Sequence, residues 1–285
     1  MSTLSAAHES RAAIVVGELS KLPAFLRRDF LTALSYRVYF VSDVLGLLSQ
    51  ALLFYFISEM VDPGELPSYG GTSTTYLEFV VVGVAVGVFV QFALTRVAAA
   101  LRQEQLQGTL ESMLVTPTAP GTIQLGSVVF DLFYIPVRTV VFLALMTAVF
   151  ALDFQASGVL PATLILLAFI PFVWGLGVLS AAAILVVRRG AGVAAIAGGL
   201  LALLSGAYFP IALLPTWLQE LAEWNPIAIA LNGMRSALLG GADWAETTGD
   251  LAVLVPMSLI SLLVGMGVFR LALRHERARG TLGGY

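Results

Sequence analysis

A chain of 285 residues with 58% hydrophobic and 12% charged residues cannot cover its surface with polar groups in water, where a soluble domain carries about 25% charged residues. Its formal net charge is −3 and it has no cysteine, so disulfides, thiolate metal sites and cysteine nucleophiles are excluded and the redox compartment is not readable. The composition is that of an all-α integral membrane protein, with membrane lipid as a partner and no nucleic-acid partner expected.

Residues 1–37 lack an apolar run long enough for a signal peptide, so the first span is expected to act as its own insertion signal. Within this segment Leu22, Phe25, Leu26, Phe30, Ala33 and Leu34 recur at three- and four-residue steps, while Arg27, Arg28 and Asp29 take the other face. Pro23 is tolerated only near a helix start. The pattern predicts a basic amphipathic helix lying in the membrane interface, the alternative being an ordinary solvated helix.

A hydrocarbon core of about 30 Å needs roughly 20 apolar residues per helix. Six stretches meet this: Val38 to Ile57, Tyr76 to Leu94, Ile123 to Leu152, Pro161 to Val187, Ala191 to Phe209, and Leu251 to Leu273. No ten-residue alternation of a membrane barrel is present. Residues 38–273 thus form a six-span region, 274–285 a tail, and 1–285 a single membrane domain. Basic residues flank one side (Lys21, Arg27, Arg28, Arg37, Arg96, Arg102, Arg188, Arg189, Arg270, Arg274, Arg277, Arg279). Acidic residues line the other, where Arg235 is the lone basic residue. Because cytoplasmic flanks carry the Lys/Arg excess, both termini are expected in the cytoplasm.

After the second span, Gly108 allows a sharp entry, Thr109 is placed to cap a helix, and Leu110, Met113 and Leu114 project from one side before Thr116-Pro117 ends it. So short a helix has too little burial to stand alone, so it packs on its own membrane domain or docks in a groove of a partner. In the fifth span Gly198, Gly199 and Gly206 remove side-chain bulk and allow close helix approach, within one protomer or at a dimer or pathway interface that Tyr208 and Phe209 would share. Residues 210–250 are semi-apolar. Trp217 and Trp224 share a helical face suited to the outer membrane–water interface, and Asn225-Pro226 restarts the chain.

Charges inside spans are costly and often functional. Asp131 and Arg138 lie seven apart on one face of the third span, Arg138 being the deepest charge, with structural contact or substrate binding as open roles. Asp43 and Glu78 stand near span ends and are expected to snorkel, and Gln91 is a further polar candidate. The one lysine, Lys21, is followed by Leu22, so no Walker-type phosphate loop exists and any ATP and Mg are bound by another chain. His8 and His275 lie near opposite termini, which leaves no histidine triad or metal centre; an enzyme in its own right is not expected.

The run Glu104 to Pro117, with Gly-Thr-Leu-Glu, a Met-Leu pair and Thr-Pro, resembles the first cytoplasmic loop of ABC-2 type exporter permeases. So do Ser205-Gly206-Ala207-Tyr208-Phe209-Pro210, Leu214-Pro215, Trp217-Leu218, Asn225-Pro226 and Asn232-Gly233-Met234-Arg235 around the end of that family's fifth span. The resemblance implies a prokaryotic cytoplasmic-membrane permease working as a dimer, expected to be a homodimer, on two cytoplasmic ATPase subunits. It makes Gly108 to Leu114 a coupling helix, with Glu111 facing a basic residue of the ATPase or simply favouring the helix N-terminus. It makes Leu22 to Arg37 a connecting helix, including Phe25, Arg27, Arg28 and Phe30. The substrate path would run between protomers along the first, second and fifth spans, with outer helices around Trp217, Trp224, Asn225 and Pro226 gating release. A hydrophobic or amphiphilic cargo is expected; a lipid-linked glycan exporter, an ion-driven carrier and a membrane scaffold are the rivals.

Overall fold

Inside a bilayer every backbone polar group must be satisfied within the protein, so long apolar runs without alternation fold as helices. The computed structural model describes residues 20–35, 37–61, 66–71, 74–106, 120–186, 190–241 and 243–279, with residue 17. Among them every regular element is helical. In chain order these are α1 (Leu22–Ser35), α2 (Arg37–Ser58), α3 (Tyr76–Leu106), α4 (Pro120–Phe150), α5 (Val159–Val186), α6 (Gly190–Leu203), α7 (Thr216–Glu223), α8 (Pro226–Arg235) and α9 (Trp244–Arg279).

Among the described residues four segments are long and apolar enough to cross a membrane: Tyr76–Thr95, Val129–Phe150, Ala156–Ala183 and Trp244–Ala272. The first expected span contributes the shorter apolar stretch Val44–Ser58 of α2. The fifth departs most from expectation. Its helix α6 has 14 residues and stops at Leu203, not Phe209. At about 1.5 Å per residue it falls short of a ~30 Å hydrocarbon core. The sixth helix begins at Trp244 rather than Leu251, because Asp243 caps it by accepting from the backbone N–H of Ala245 at 2.9 Å and of Glu246 at 3.2 Å.

The contacts divide the chain into two compact units, Met1–Asp43 with Ala99–Tyr134, and Val44–Ala98 with Ile135–Tyr285. In the first, α1 ends at Ser35. Phe25 packs so tightly on Gly126 that a Cβ there would stand 2.5 Å from the Phe25 ring. Arg28 bonds Asp29 at 2.7 Å and lies 5.4 Å from the Phe25 ring centre, so the basic face folds back over part of the apolar one. Phe30 and Leu31 stay exposed.

In the second unit a hydrophobic core forms at the N-terminal part of α3, where Val80, Val81, Val84 and Ala85 pack with Ala51 of α2 and with Phe142 and Met146 of α4. Helices α5 and α9 cross at glycine: a Cβ on Gly265 would lie 2.6 Å from the carbonyl oxygen of Gly175. Small residues allow this backbone approach, as in other membrane helix pairs. Here they join the fourth and sixth spans.

The start of α3 is a capping box. Thr75 Oγ1 accepts from the Glu78 backbone N–H at 3.3 Å while Glu78 accepts from the Thr75 backbone N–H at 2.8 Å. Glu78 also accepts from the Asp153 backbone N–H at 3.2 Å, tying the loop after α4 to α3. Glu78 is thus engaged in protein contacts rather than snorkelling free; the side chain of Asp43 lies outside the described residues. Thr75→Ala is expected to cost about 1 kcal/mol, read as a lower unfolding temperature of the detergent-purified protein. Ser at the same position should restore most of it.

Candidate functional site

The site is built where α6 stops. Ser205 and Gly206 break the helix, Gly206 taking the left-handed φ of 71° that glycine tolerates, and Pro210 prevents resumption. Residues 204–209 therefore run as turns, although Ala207-Tyr208-Phe209 is apolar enough to read as span. Unwound backbone in an apolar setting leaves carbonyls that need donors.

Arg235 supplies them. Its side chain is 1% exposed. Nη1 donates to Gly206 O at 2.9 Å, Nη2 to Ala207 O at 3.1 Å, and Nε to Phe79 O of α3 at 3.0 Å. The guanidinium carbon sits 3.4 Å from the centre of the Phe79 ring, and a further hydrogen bond joins it to the Tyr69 side chain. Burial pushes the pKa of Arg235 down, to about 10, with Tyr69 and then Tyr76 opposing the shift; the group stays charged at neutral pH. Burial likewise raises the Tyr69 hydroxyl, against the pull of Arg235. Gly83 makes room, since a Cβ there would collide with Ala207 O and stand 2.9 Å from Arg235 Nη2. Among the described residues the charge most completely withdrawn from solvent is thus Arg235. Arg138 is half-buried and Asp131 buried, and neither stands without a partner.

The same turn carries an aromatic cluster. Tyr208 stacks on Phe54 of α2 with ring centres 5.9 Å apart, and Tyr76 tilts against Phe54 at 6.5 Å. Tyr76 Oη donates to Tyr208 O at 3.0 Å. Beside it α6 presents two unlike glycines. A Cβ on buried Gly198 would meet Leu94 Cδ1 of α3 at 2.7 Å, so this glycine serves packing within the protomer. Gly199 has nothing within 4 Å and lies on an open face with Ile196, Leu200 and Leu203. Phe209 is half-buried.

Helix α7 packs inward through Ala222 and holds Trp217 and Leu221 outward; Trp224 follows at its end, 77% exposed. Such an apolar outward face suits a membrane interface. Gln219 folds the preceding turn down, donating to Leu214 O at 2.7 Å and Ala212 O at 3.1 Å. Asn225 is buried. It caps α8 by accepting from the Ile227 backbone N–H at 3.0 Å and donates to Leu201 O of α6 at 3.4 Å, with Pro226 at the first helical turn. Asn225-Pro226 thereby anchors α8 to the last turns of the fifth helix.

The segment Gly108, Thr109, Leu110, Glu111, Met113, Leu114, Thr116 and Pro117 lies outside the described residues. The residue that sequence reasoning passed over is Arg235. Its signal was a single basic residue on an otherwise acidic flank, within the apolar periodicity of Ile227, Leu231 and Met234. Among the described residues no cluster of His, Cys, Asp and Glu could hold a metal.

A profile of the family described as ABC-2 type transporter matches residues 21–239, from the start of α1 to just past the end of α8. No curated protein matches the chain. With its long apolar helices the chain is a multi-pass membrane protein.

Proposed function

This chain belongs to the ABC-2 type transporter family, and from that premise we propose that it is the permease subunit of an ATP-driven exporter. The observation that carries the reading is the extent of the family match, which runs through the basic amphipathic helix, residues 107–119 and the Arg235-pegged end of the fifth helix. The permease of such a transporter is the membrane component, associated with a separate ATP-binding subunit. The one lysine, Lys21, is not in a phosphate-binding motif, so ATP and Mg belong to that partner.

In this reading two ATPase subunits sit on the cytoplasmic side of two copies of the chain, in a prokaryotic cytoplasmic membrane with both termini inside. The helix from Gly108 to Leu114 docks in a cleft of each ATPase through Leu110, Met113 and Leu114. ATP binding closes the ATPases and favours one membrane-domain arrangement, by no more than its differential affinity for the two states. A hydrophobic or amphiphilic substrate then leaves between protomers past the outer helices α7 and α8.

The test uses the permease co-expressed with the ATPase encoded beside its gene, purified together in lipid. Leu110→Asp with Met113→Asp is expected to abolish co-purification or the permease-dependent part of ATP hydrolysis, while the variant still migrates as a folded species. An unchanged hydrolysis rate and unchanged association would overturn the proposal and favour an ion-driven carrier or a scaffold.

A further inference from the structure

Three neutral polar groups gather near the aromatic cluster and are not used by the fold. Gln91 is exposed four residues before the end of the Tyr76–Thr95 span, and its side-chain amide has no hydrogen-bond partner among the described residues. The hydroxyl of Tyr208 is equally unpartnered and lies 3.9 Å from where a Cβ on Gly87 would stand, one helical turn before Gln91. Gln50 of α2, half-buried and likewise unpartnered, stands one turn before Phe54, the ring on which Tyr208 stacks.

Depth makes these groups costly. Gln50 stands near the middle of the apolar stretch Val44–Ser58, while Gln91, at about 1.5 Å per residue, stands about 6 Å before the end of its span. An amide without a hydrogen bond in hydrocarbon costs several kcal/mol. Lipid tails are therefore the wrong neighbour for this face; water or a polar ligand is the right one. The amide lies close against α6 and is still exposed. A Cβ on Gly198 would lie 3.1 Å from Gln91 Oε1, so the glycine of α6 lets the amide lie alongside it. Glu78, in the first turn of α3, is bound to Thr75 and the Asp153 backbone, and Arg235 is spent on backbone carbonyls. The available donors and acceptors are thus an amide pair and a phenol, bordered by the rings of Phe54 and Tyr76.

We propose that Gln50, Gln91 and Tyr208 form a subsite of the transport path that hydrogen-bonds an uncharged hydroxyl- or amide-bearing headgroup, with Phe54 and Tyr76 taking the adjoining apolar part of the same molecule. The proposal rests on the exporter reading and names the substrate class at its path: a neutral amphiphile.

The absence of cysteine from the chain gives a clean test. Gln91→Cys and Gln50→Cys are made one at a time in the permease–ATPase complex, reconstituted in lipid vesicles. Leu263→Cys, at a site 63% exposed in the middle of α9, serves as the control facing lipid. A charged, membrane-impermeant thiosulfonate reagent is expected to modify both glutamine positions at least tenfold faster than the control. A short-chain alkyl glucoside below its micelle concentration is expected to slow that modification severalfold. Alkyl sulfate and alkyltrimethylammonium of equal chain length should leave it unchanged.

Modification of Gln91→Cys no faster than of Leu263→Cys overturns the proposal by placing the face in lipid. Rapid oxidation of Gln91→Cys to a disulfide-linked dimer, without modification by the reagent, overturns it by placing the amide against a second copy. Equal protection by all three amphiphiles, or by none, overturns the substrate class. Should Gln91→Cys fail to assemble, Gln50→Cys and Tyr208→Cys are read by the same criteria. ATPase association is scored in the same preparations. Fast modification without ATPase association defeats the exporter reading alone, and association with an unreactive cysteine defeats the subsite alone.

Discussion

Arg235→Ala is expected to destabilise the permease by about 3 kcal/mol, read from detergent-purified protein as a large loss of thermal and denaturant resistance. Hydrogen bonds to a charged group contribute about 1.5–3 kcal/mol each, although contributions within one network do not sum. The variant leaves Gly206 O and Ala207 O, on a segment with no helical partners, without their donors. It also opens a cavity beside Phe79, itself 1% exposed. Arg235→Lys keeps the charge but replaces a planar fork by a single ammonium, which cannot reach Phe79 O, Gly206 O and Ala207 O together; it should recover less than half of the loss. Tyr69→Phe, which leaves the three carbonyl bonds in place, should cost about 1 kcal/mol. Full recovery by lysine would mean that charge alone is required and that the fork geometry is irrelevant.

Gly265→Val is expected to cost about 3 kcal/mol, the upper end of what overpacking does, and to lower the yield of monodisperse protein. The first added atom would lie 2.6 Å from Gly175 O and 3.2 Å from Gly175 Cα. Backbone atoms in the middle of a helix cannot swing aside as a side-chain end does. Helices α5 and α9 would have to separate, loosening the Ser261 Oγ to Phe172 O hydrogen bond of 3.3 Å along with the helix contact. Gly267 is the matched control. Nothing lies within 4 Å of a Cβ placed there, so Gly267→Ala should be neutral or slightly stabilising, within about 1 kcal/mol. Equal losses at the two positions would show that helix propensity, not the crossing, governs both.

The parts of this architecture legible in the sequence are those that a single period or a single residue type encodes. Apolar runs of span length located α3, α4, α5 and α9 because hydrophobicity alone decides whether a segment partitions into lipid. The start of α1 was legible because Pro23 is tolerated only near a helix start. The stop of α6 was not, and the reason is physical. Ala207, Tyr208 and Phe209 are apolar for the sake of protein neighbours, and hydropathy does not separate burial in protein from burial in lipid. The compensation for breaking that helix sits 28 residues from Ala207, at Arg235. No local pattern links the two. Glycines were misleading in the same way: Gly198 and Gly199 are adjacent and identical in sequence, yet one is buried under Leu94 and the other faces outward.

The closing helix α9 runs unbroken for 36 residues, from Trp244 to Arg279. At 1.5 Å per residue that is about 54 Å, well beyond the ~30 Å of a hydrocarbon core. Pro256 lies within it without ending it. A rod of this length acts as a lever: a tilt of roughly 5° about one end carries the other sideways by about 5 Å, the rise of one helical turn. Because glycine lets α9 seat directly on the backbone of α5, little soft side-chain material lies at the crossing to absorb such a movement. Rearrangement at the end near Asp243, Glu246 and the Arg235-pegged turn would therefore arrive, barely attenuated, at the end bearing Arg270 and Arg274.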